Sequence, residues 1–317
     1  MPGRRDKMTT AKNKLTKLLY WFEKVILLVF VFMMLLISKS IGEYVRDGIK
    51  LCFNVIIGSV FPFFIFSDLV LSKLQRGRNK LLNSLFKKLF HINGAAFFTF
   101  ICGTLCGFPL GARLADDMYN DGLISEDEFV RLVAISTCSS PSFVISGIGA
   151  AMRGSIIDGI IIYISSLAST ITVSLLFAKG KKATIIRTEN VFKEFDLTNT
   201  IKKATTSTLN VCGFVIAFSV ICGLINSIPV FDALKLFILP FLEISNAAKI
   251  FSETASLSYT ASMMMTSFSV TLTGVCAMLQ VKSFITNKNF PMKSFFLMKL
   301  FAATISAIIT LLTVIIF

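Results

Sequence analysis

Residues 102–117 read CGTLCGFPLGARLADD. An apolar stretch rich in small residues stops at a Gly-Phe-Pro-Leu-Gly break, and an arginine and two aspartates follow at once. Pro109 has no amide hydrogen to give a helix, and Gly107 and Gly111 suit turns and close backbone approach. What such a break means depends on the solvent around it, so the rest of the chain decides the reading.

That solvent is lipid. The 317-residue chain is 54% hydrophobic and only 16% charged, with a mean hydropathy of +0.76. Soluble domains carry roughly 25% charged residues. Several apolar runs approach the ~20 residues that a bilayer-spanning helix needs. A β-barrel would show short alternating strands instead. The expected fold is therefore an all-α polytopic membrane protein, in the bacterial cytoplasmic membrane.

The formal net charge of +14 gains its meaning from that class. Nineteen of the 32 lysines and arginines fall in residues 1–17, 73–88 and 179–203. The positive-inside rule places those segments, and with them the N-terminus, in the cytoplasm. The charge is thus topological, and nucleic acid is not an expected partner. The seven cysteines all lie in apolar segments and read as buried small hydrophobes. With a single histidine, His91, and no zinc-type cysteine spacing, neither a metal centre nor an enzyme is expected.

Along the chain, residues 18–37 read as a first span, either retained or cleaved as a signal peptide, and 48–72 as a second with Pro62 inside. In residues 76–90, RGRNKLLNSLFKKLF, the leucines and phenylalanines share one half of a helical wheel and the lysines the other. This predicts an amphipathic helix lying in the cytoplasmic interface. Residues 92–106 are apolar but too short to cross. Ser125-Glu126-Asp127-Glu128 is a capping box that starts a helix over 126–152, interrupted by TCSSPSF at 137–143. Further spans are expected at 155–178, 204–226 and 294–317. Pro229 opens a piece ending in PFLEISNAAK, 240–249, and residues 250–280 are rich in Ser, Thr and Met. FHINGAAFFTF (90–100) and LEISNAAKIFS (242–252) suggest an internal repeat, with the second half one span short of the first.

Lipid offers no hydrogen bonds to freed backbone groups, and each unpaired amide costs several kcal/mol there. Irregular main chain survives at membrane depth only inside protein or beside a wet cavity. Paired broken helices near the midplane are the sequence pointer to a transporter binding site. Gly107, Pro109 and Gly111 are expected to shape one hairpin tip. Thr137, Ser139, Ser140 and Ser142 would offer hydroxyls and a helix end. Arg113 would supply positive potential, or pair with Asp116 or Asp117. Glu253 lies in a small-residue stretch and is the candidate carrier of ion coupling. Thr273 and Gln280 complete the candidate substrate-binding set.

The stretch CGFPLGARLADDMYNDGLISEDEFVRLVAISTCSSPSFVISGIGAAM (106–152) resembles the core of the sporulation integral membrane protein YlbJ family. VFPFFIFSDLVLSKL (60–74) and LEISNAAKI (242–250) fit as well. The resemblance covers roughly residues 45–317. That family is related to the nucleoside-recognition Gate domains of spore maturation proteins and of concentrative nucleoside transporters. Phe108 stands where its tyrosine is usual, Arg113 where a lysine is common, Thr137-Cys138 in place of an asparagine pair, and Met278 at a histidine. The resemblance implies two inverted repeats, each with an interfacial helix, a re-entrant helical hairpin and a broken helix. The divisions are then 1–45 (basic N-terminus and first transmembrane helix), 46–178 (first Gate-like repeat), 179–203 (cytoplasmic charged linker) and 204–317 (second Gate-like repeat). It implies transport of a small, polar, anionic (hetero)aromatic metabolite such as dipicolinate during sporulation, in the mother-cell-derived outer membrane of the forespore. A nucleoside transporter and a non-transporting scaffold of spore assembly are the alternatives. The expected partners are the bilayer and a small-molecule substrate, with a homo-oligomer left open. No cofactor is expected beyond a coupling Na+ or H+.

Overall fold

The computed structural model describes residues 38–74, 80–183, 196–227 and 232–316, with scattered positions between 20 and 32. Most of the expected first span, the middle of the charged linker and Pro229 lie outside them. All regular structure among the described residues is helical. Four helices are long and apolar enough to cross a membrane: Ile156–Ala178, Leu197–Ser227, Tyr259–Phe284 and Met292–Ile316. These four apolar helices support an integral membrane protein.

Helix α1 (Ser38–Leu51) runs through a π-helical stretch (Cys52–Ile57) into α2 (Gly58–Leu74), which tolerates Pro62. The sequence places this element at 48–72; the helix in fact begins ten residues earlier. Helix α3 (Lys80–Phe90) is the expected amphipathic segment. After a short 3₁₀ turn (Gly94–Ala96), α4 (Phe97–Cys106) leaves at 99° to it. Such a bend suits one helix lying along the interface and another entering the bilayer. Helix α5 (Phe108–Asn120) returns from the tip at Gly107.

Helix α6 (Glu126–Ser136) anchors this corner. Ser125 and Glu128 form the expected capping box. Glu128 is fully buried; one carboxylate oxygen accepts from the Ser125 amide at 2.8 Å and the other from the Asn93 amide at 2.9 Å. Arg131, one turn on, donates to the carbonyls of Phe90 (2.6 Å) and His91 (3.1 Å), closing the C-terminal end of α3. The same guanidinium pairs with Asp127 at 3.0 Å, and Lys181 reaches Asp127 at 2.9 Å. Burial pushes the Asp127 carboxyl up, but the Lys181 and Arg131 charges outweigh it and hold the group below its ordinary value.

Residues 137–140 have no helical winding, and the chain resumes as α7 (Ser142–Met152), a π-helix, followed by α8 (Ile156–Ala178). In the second half α9 (Leu197–Ser227) begins seven residues before the expected 204. Helices α10 (Asp232–Leu242) and α11 (Ile244–Glu253) meet at Glu243; α12 (Tyr259–Leu272) and α13 (Gly274–Phe284) meet at Thr273. Helix α14 (Met292–Ile316) ends the described chain and packs against α8 and α12. Each half thus carries a leading long helix (α1–α2 or α9), two short helices joined at a tip, an interrupted helix and a closing span. Helices α1–α2 answer to α9, and the span by which the first half exceeds the second, 18–37, lies mostly outside the described residues.

Polar ties sort the loops into two ends. Lys181 binds Asp127, and the amide and hydroxyl of Thr286 donate to Asp116 at 3.1 and 2.9 Å, so the turns at 121–125, 179–183 and 285–291 share one end. The other end is closed by Arg153, which pairs with Asp158 at 3.0 Å and donates to Ser262 at 2.8 Å; Tyr259 also donates to Asp158 at 2.9 Å. The first end carries Lys179, Lys181 and Lys182, from one of the basic segments that the charge rule sends to the cytoplasm.

Candidate functional site

Four of the interruptions open on one cavity. It spans about 780 Å³ when the open space at its mouth is included, and its enclosed free volume is about 120 Å³. Gly107, Ser140, Glu243 and Thr273, one from each interruption, all line it. Behind them stand Cys106, Phe108, Pro109, Phe143, Ile244, Cys276, Ala277 and Gln280. The far wall is Leu51, Ile56 and Val60 with Val211 and Val215, from the leading helices of the two halves.

Local chemistry explains each opening. Gly107 sits at φ 102°, ψ 171°, which a side chain makes costly, and Pro109 starts α5 at a position that needs no amide donor. A Cβ at Gly107 would meet nothing closer than Ser140 at 3.6 Å, so its conformation, not its space, requires glycine. Glu243 caps α11: its carboxylate accepts from the Asn246 amide at 2.9 Å and from the Asn246 side chain at 3.2 Å. Thr273 stands in the left-handed region at φ 72°. That is an outlier for a β-branched residue, with a cost on the order of 1–3 kcal/mol, and such strain collects at functional sites. Both π-helical stretches also border the cavity, through Leu51 and Ile56 beside one and Phe143 in the other. This winding is rare and concentrates where function needs it.

The N-terminal ends of α5, α7, α11 and α13 and the C-terminal ends of α4, α10 and α12 all lie at these interruptions. Amide ends favour anionic groups, and carbonyl ends favour cations. The site therefore offers both signs of dipole at close quarters, in a predominantly apolar enclosure.

Among the expected site residues, Gly107, Pro109, Ser140, Thr273 and Gln280 line the cavity. The others do not. Gly111 is a packing residue: a Cβ there would come within 2.0 Å of the Ser136 carbonyl oxygen, and one at Gly103 within 2.2 Å. The end of α6 wedges between the two arms of the hairpin at these glycines. Arg113 is buried behind the tip, its guanidinium 5.4 Å from the centre of the Phe64 ring. The Asp116 carboxylate accepts from Thr286 and from Asn120 (2.9 Å). Thr137 returns its hydroxyl to the Val133 carbonyl at 2.7 Å, and Ser139 is buried with its hydroxyl 3.5 Å from the Val270 carbonyl. Ser142 is exposed in the first turn of α7. Glu253 is exposed at the end of α11. Met278 packs against the core around Phe129.

Two residues escape the sequence reading. Glu243 is the one charged side chain lining the cavity among the described residues. Its signal is a carboxylate three positions before an asparagine, directly after Pro240-Phe241-Leu242. Lys299 is 1% exposed inside the closing span and donates to the Thr137 carbonyl. Its signal is a lysine well inside an apolar run. The Asn-Ala-Ala repeat also needs correction. Asn93 precedes the first arm of one hairpin, accepting from Ala95 and donating to Leu123, whereas Asn246 lies in the second arm of the other beside Glu243. The two motifs hold different places in the fold.

Comparison with known proteins gives one informative relative. The chain is 25% identical to the sporulation integral membrane protein YlbJ of Bacillus subtilis (strain 168), over 313 residues that cover 85% of this chain and 76% of that protein. This similarity supports the YlbJ family and a sporulation membrane protein. No family model and no solved structure matches the chain.

Proposed function

We propose that the chain is a permease of the spore-forming cell, built from two inverted Gate-like repeats, that carries a small, polar, anionic (hetero)aromatic metabolite such as dipicolinate through this cavity. The observation that carries the reading is the meeting of Gly107, Ser140, Glu243 and Thr273 around one opening. A scaffold gains nothing from four main-chain interruptions at one point, since each exposes backbone groups that lipid cannot satisfy. A carrier gains fixed amide and carbonyl ends for a polar solute and an apolar wall for an aromatic ring.

The anionic group belongs at the tip of α5, beside Gly107, where no side chain caps the amide end, whereas at the start of α7 the Phe143 amide already donates to the Ser140 hydroxyl at 3.3 Å. Glu243 holds the start of α11 itself. The aromatic ring belongs against Leu51, Ile56, Val60 and Phe143. The matching order of elements in the two halves supports the repeats, and the sorting of the loops into two ends supports their inversion. The sporulation relative supports the cellular setting; in this reading the protein lies in the membrane that surrounds the forespore, and the positive-inside rule puts its N-terminus in the cytoplasm.

Glu243 and Gln280 in the wall also favour a second reading, a nucleoside carrier, because both can accept hydrogen bonds from a neutral solute. Flux in proteoliposomes decides between the readings. Labelled dipicolinate should move down its gradient, and Gly107→Val should abolish the movement in folded protein. Uridine flux without dipicolinate flux would move the assignment to nucleosides. No flux of either from correctly folded protein would leave the scaffold.

A further inference from the structure

The break between α6 and α7 carries a charge that the cavity does not use. Helix α6 ends at Ser136, so its last carbonyls lack helical partners and form the negative end of its dipole. In ion-coupled carriers, half-helix ends of this kind hold the coupling cation. Here a side chain stands at that place. Lys299 reaches from within α14, and its ammonium donates to the Thr137 carbonyl.

The surroundings of Lys299 differ from those of Arg131 and Arg153, whose side chains are also buried. Arg131 has Asp127 and Arg153 has Asp158, each at 3.0 Å. Among the described residues no carboxylate lies within ion-pair distance of Lys299. A buried charge without a counter-ion is costly unless backbone dipoles replace it. The carbonyl end of α6 is that replacement. Lys299 also borders a gap too small for a water molecule, lined by Ala134, Val173, Met298 and Ala302 with Thr170 and Ser174, and the Ser174 hydroxyl has no hydrogen-bond partner among the described residues. The Thr137 carbonyl, just past the end of α6, thus holds a tethered ammonium at the place where a helix end would attract a free cation.

We infer that Lys299 is a resident cation: it takes the place of an alkali metal ion at the α6 end, so that the protein needs no Na+ there. At the second break the chain has no such device. Thr273 turns its hydroxyl to the Leu272 carbonyl, and no lysine or arginine among the described residues contacts it. The inference stands apart from the transport reading, because its test reads the fold and not flux.

The experiment is thermal unfolding of the detergent-purified full chain in NaCl and in choline chloride at equal ionic strength. Wild type should melt at the same temperature in both salts. Lys299→Ser, which vacates the site and leaves a hydroxyl, should melt several degrees lower in choline and recover part of the loss in Na+. A Na+-specific rise in wild type would overturn the inference, since the ion would then bind beside the lysine. Equal loss in both salts for Lys299→Ser would make the lysine a packing residue and overturn it too. Should Lys299→Ser not fold, Lys299→Gln is read in the same way, and the wild-type comparison stands by itself.

Discussion

The interrupted helices of the two halves break in opposite styles. The first, between α6 and α7, loses winding over four residues, 137–140, and most of that length is filled by protein. Ser136 wedges against Gly103 and Gly111, Lys299 covers Thr137, and Ser139 is buried, so only Ser140 reaches the cavity. The second break, at Thr273, is a single residue held at positive φ, and it faces the cavity directly. One break is stabilised by what packs on it. The other is strained and borders the opening. Irregular backbone in a membrane can therefore serve packing and binding in the same molecule, and only neighbours tell the two apart.

The packed side of this contrast is the easiest to break. Gly111→Val places atoms where the Ser136 backbone already lies, and overpacking of this kind costs about 1–3 kcal/mol or more. The variant should lose most of its folded yield, measured by size-exclusion of the detergent-purified protein; a normal yield would show that the wedge is loose. Neighbouring serines sharpen the contrast further. In a background without native cysteines, Ser140→Cys should react with a water-soluble thiol reagent at least tenfold faster than Ser139→Cys, because only Ser140 lines the opening. Equal rates would erase the distinction within the first break.

The strained side should respond in reverse. Thr273→Gly removes a left-handed β-branched residue and should raise stability by about 1 kcal/mol, while slowing any flux that depends on a rigid wall. Unchanged or lower stability would mean the conformation carries no strain. The smallest effect belongs to the distant anchor of α6. Asp127 has a lowered pKa in the folded protein, so its contribution is present above the ordinary carboxylate value and fades as pH falls through the folded one. Asp127→Asn should lower the melting temperature slightly near pH 7, and the difference should shrink progressively as pH falls below the ordinary carboxylate value of about 4. A pH-independent difference would assign the effect to packing.

The parts legible in the sequence are those fixed by local chemistry. The Ser125–Glu128 capping box, the amphipathic segment before His91 and the Gly-Phe-Pro break each depend on residues a few positions apart, and each forms as read. What the sequence hides depends on direction and distance. Glu243 and Glu253 both sit in short polar interruptions, but only the first is a tip residue; the second ends a helix at the surface. Gly107 and Gly111 belong to one motif, yet one supplies a backbone angle and the other a missing side chain. Arg113 follows the break by two residues and points behind it, to Phe64. Lys299 meets Thr137 across 162 positions, a pairing no local pattern announces.

The π-helical stretch at Cys52–Ile57 has a consequence for the whole leading helix. On one side of it Tyr44 packs on Gly223, where a Cβ would sit 2.3 Å from the ring; on the other Phe64 packs with Leu110, Leu114 and Ala204. These two contacts lock the angular phase of each segment. An α-helix advances about 100° per residue. Rewinding all six residues of 52–57 as ordinary helix would rotate one contact face away from its partner by roughly that angle, whereas deleting one of them and rewinding would leave both faces in phase. The wide turn thus acts as a phase shifter that lets a single rod serve two neighbours at once.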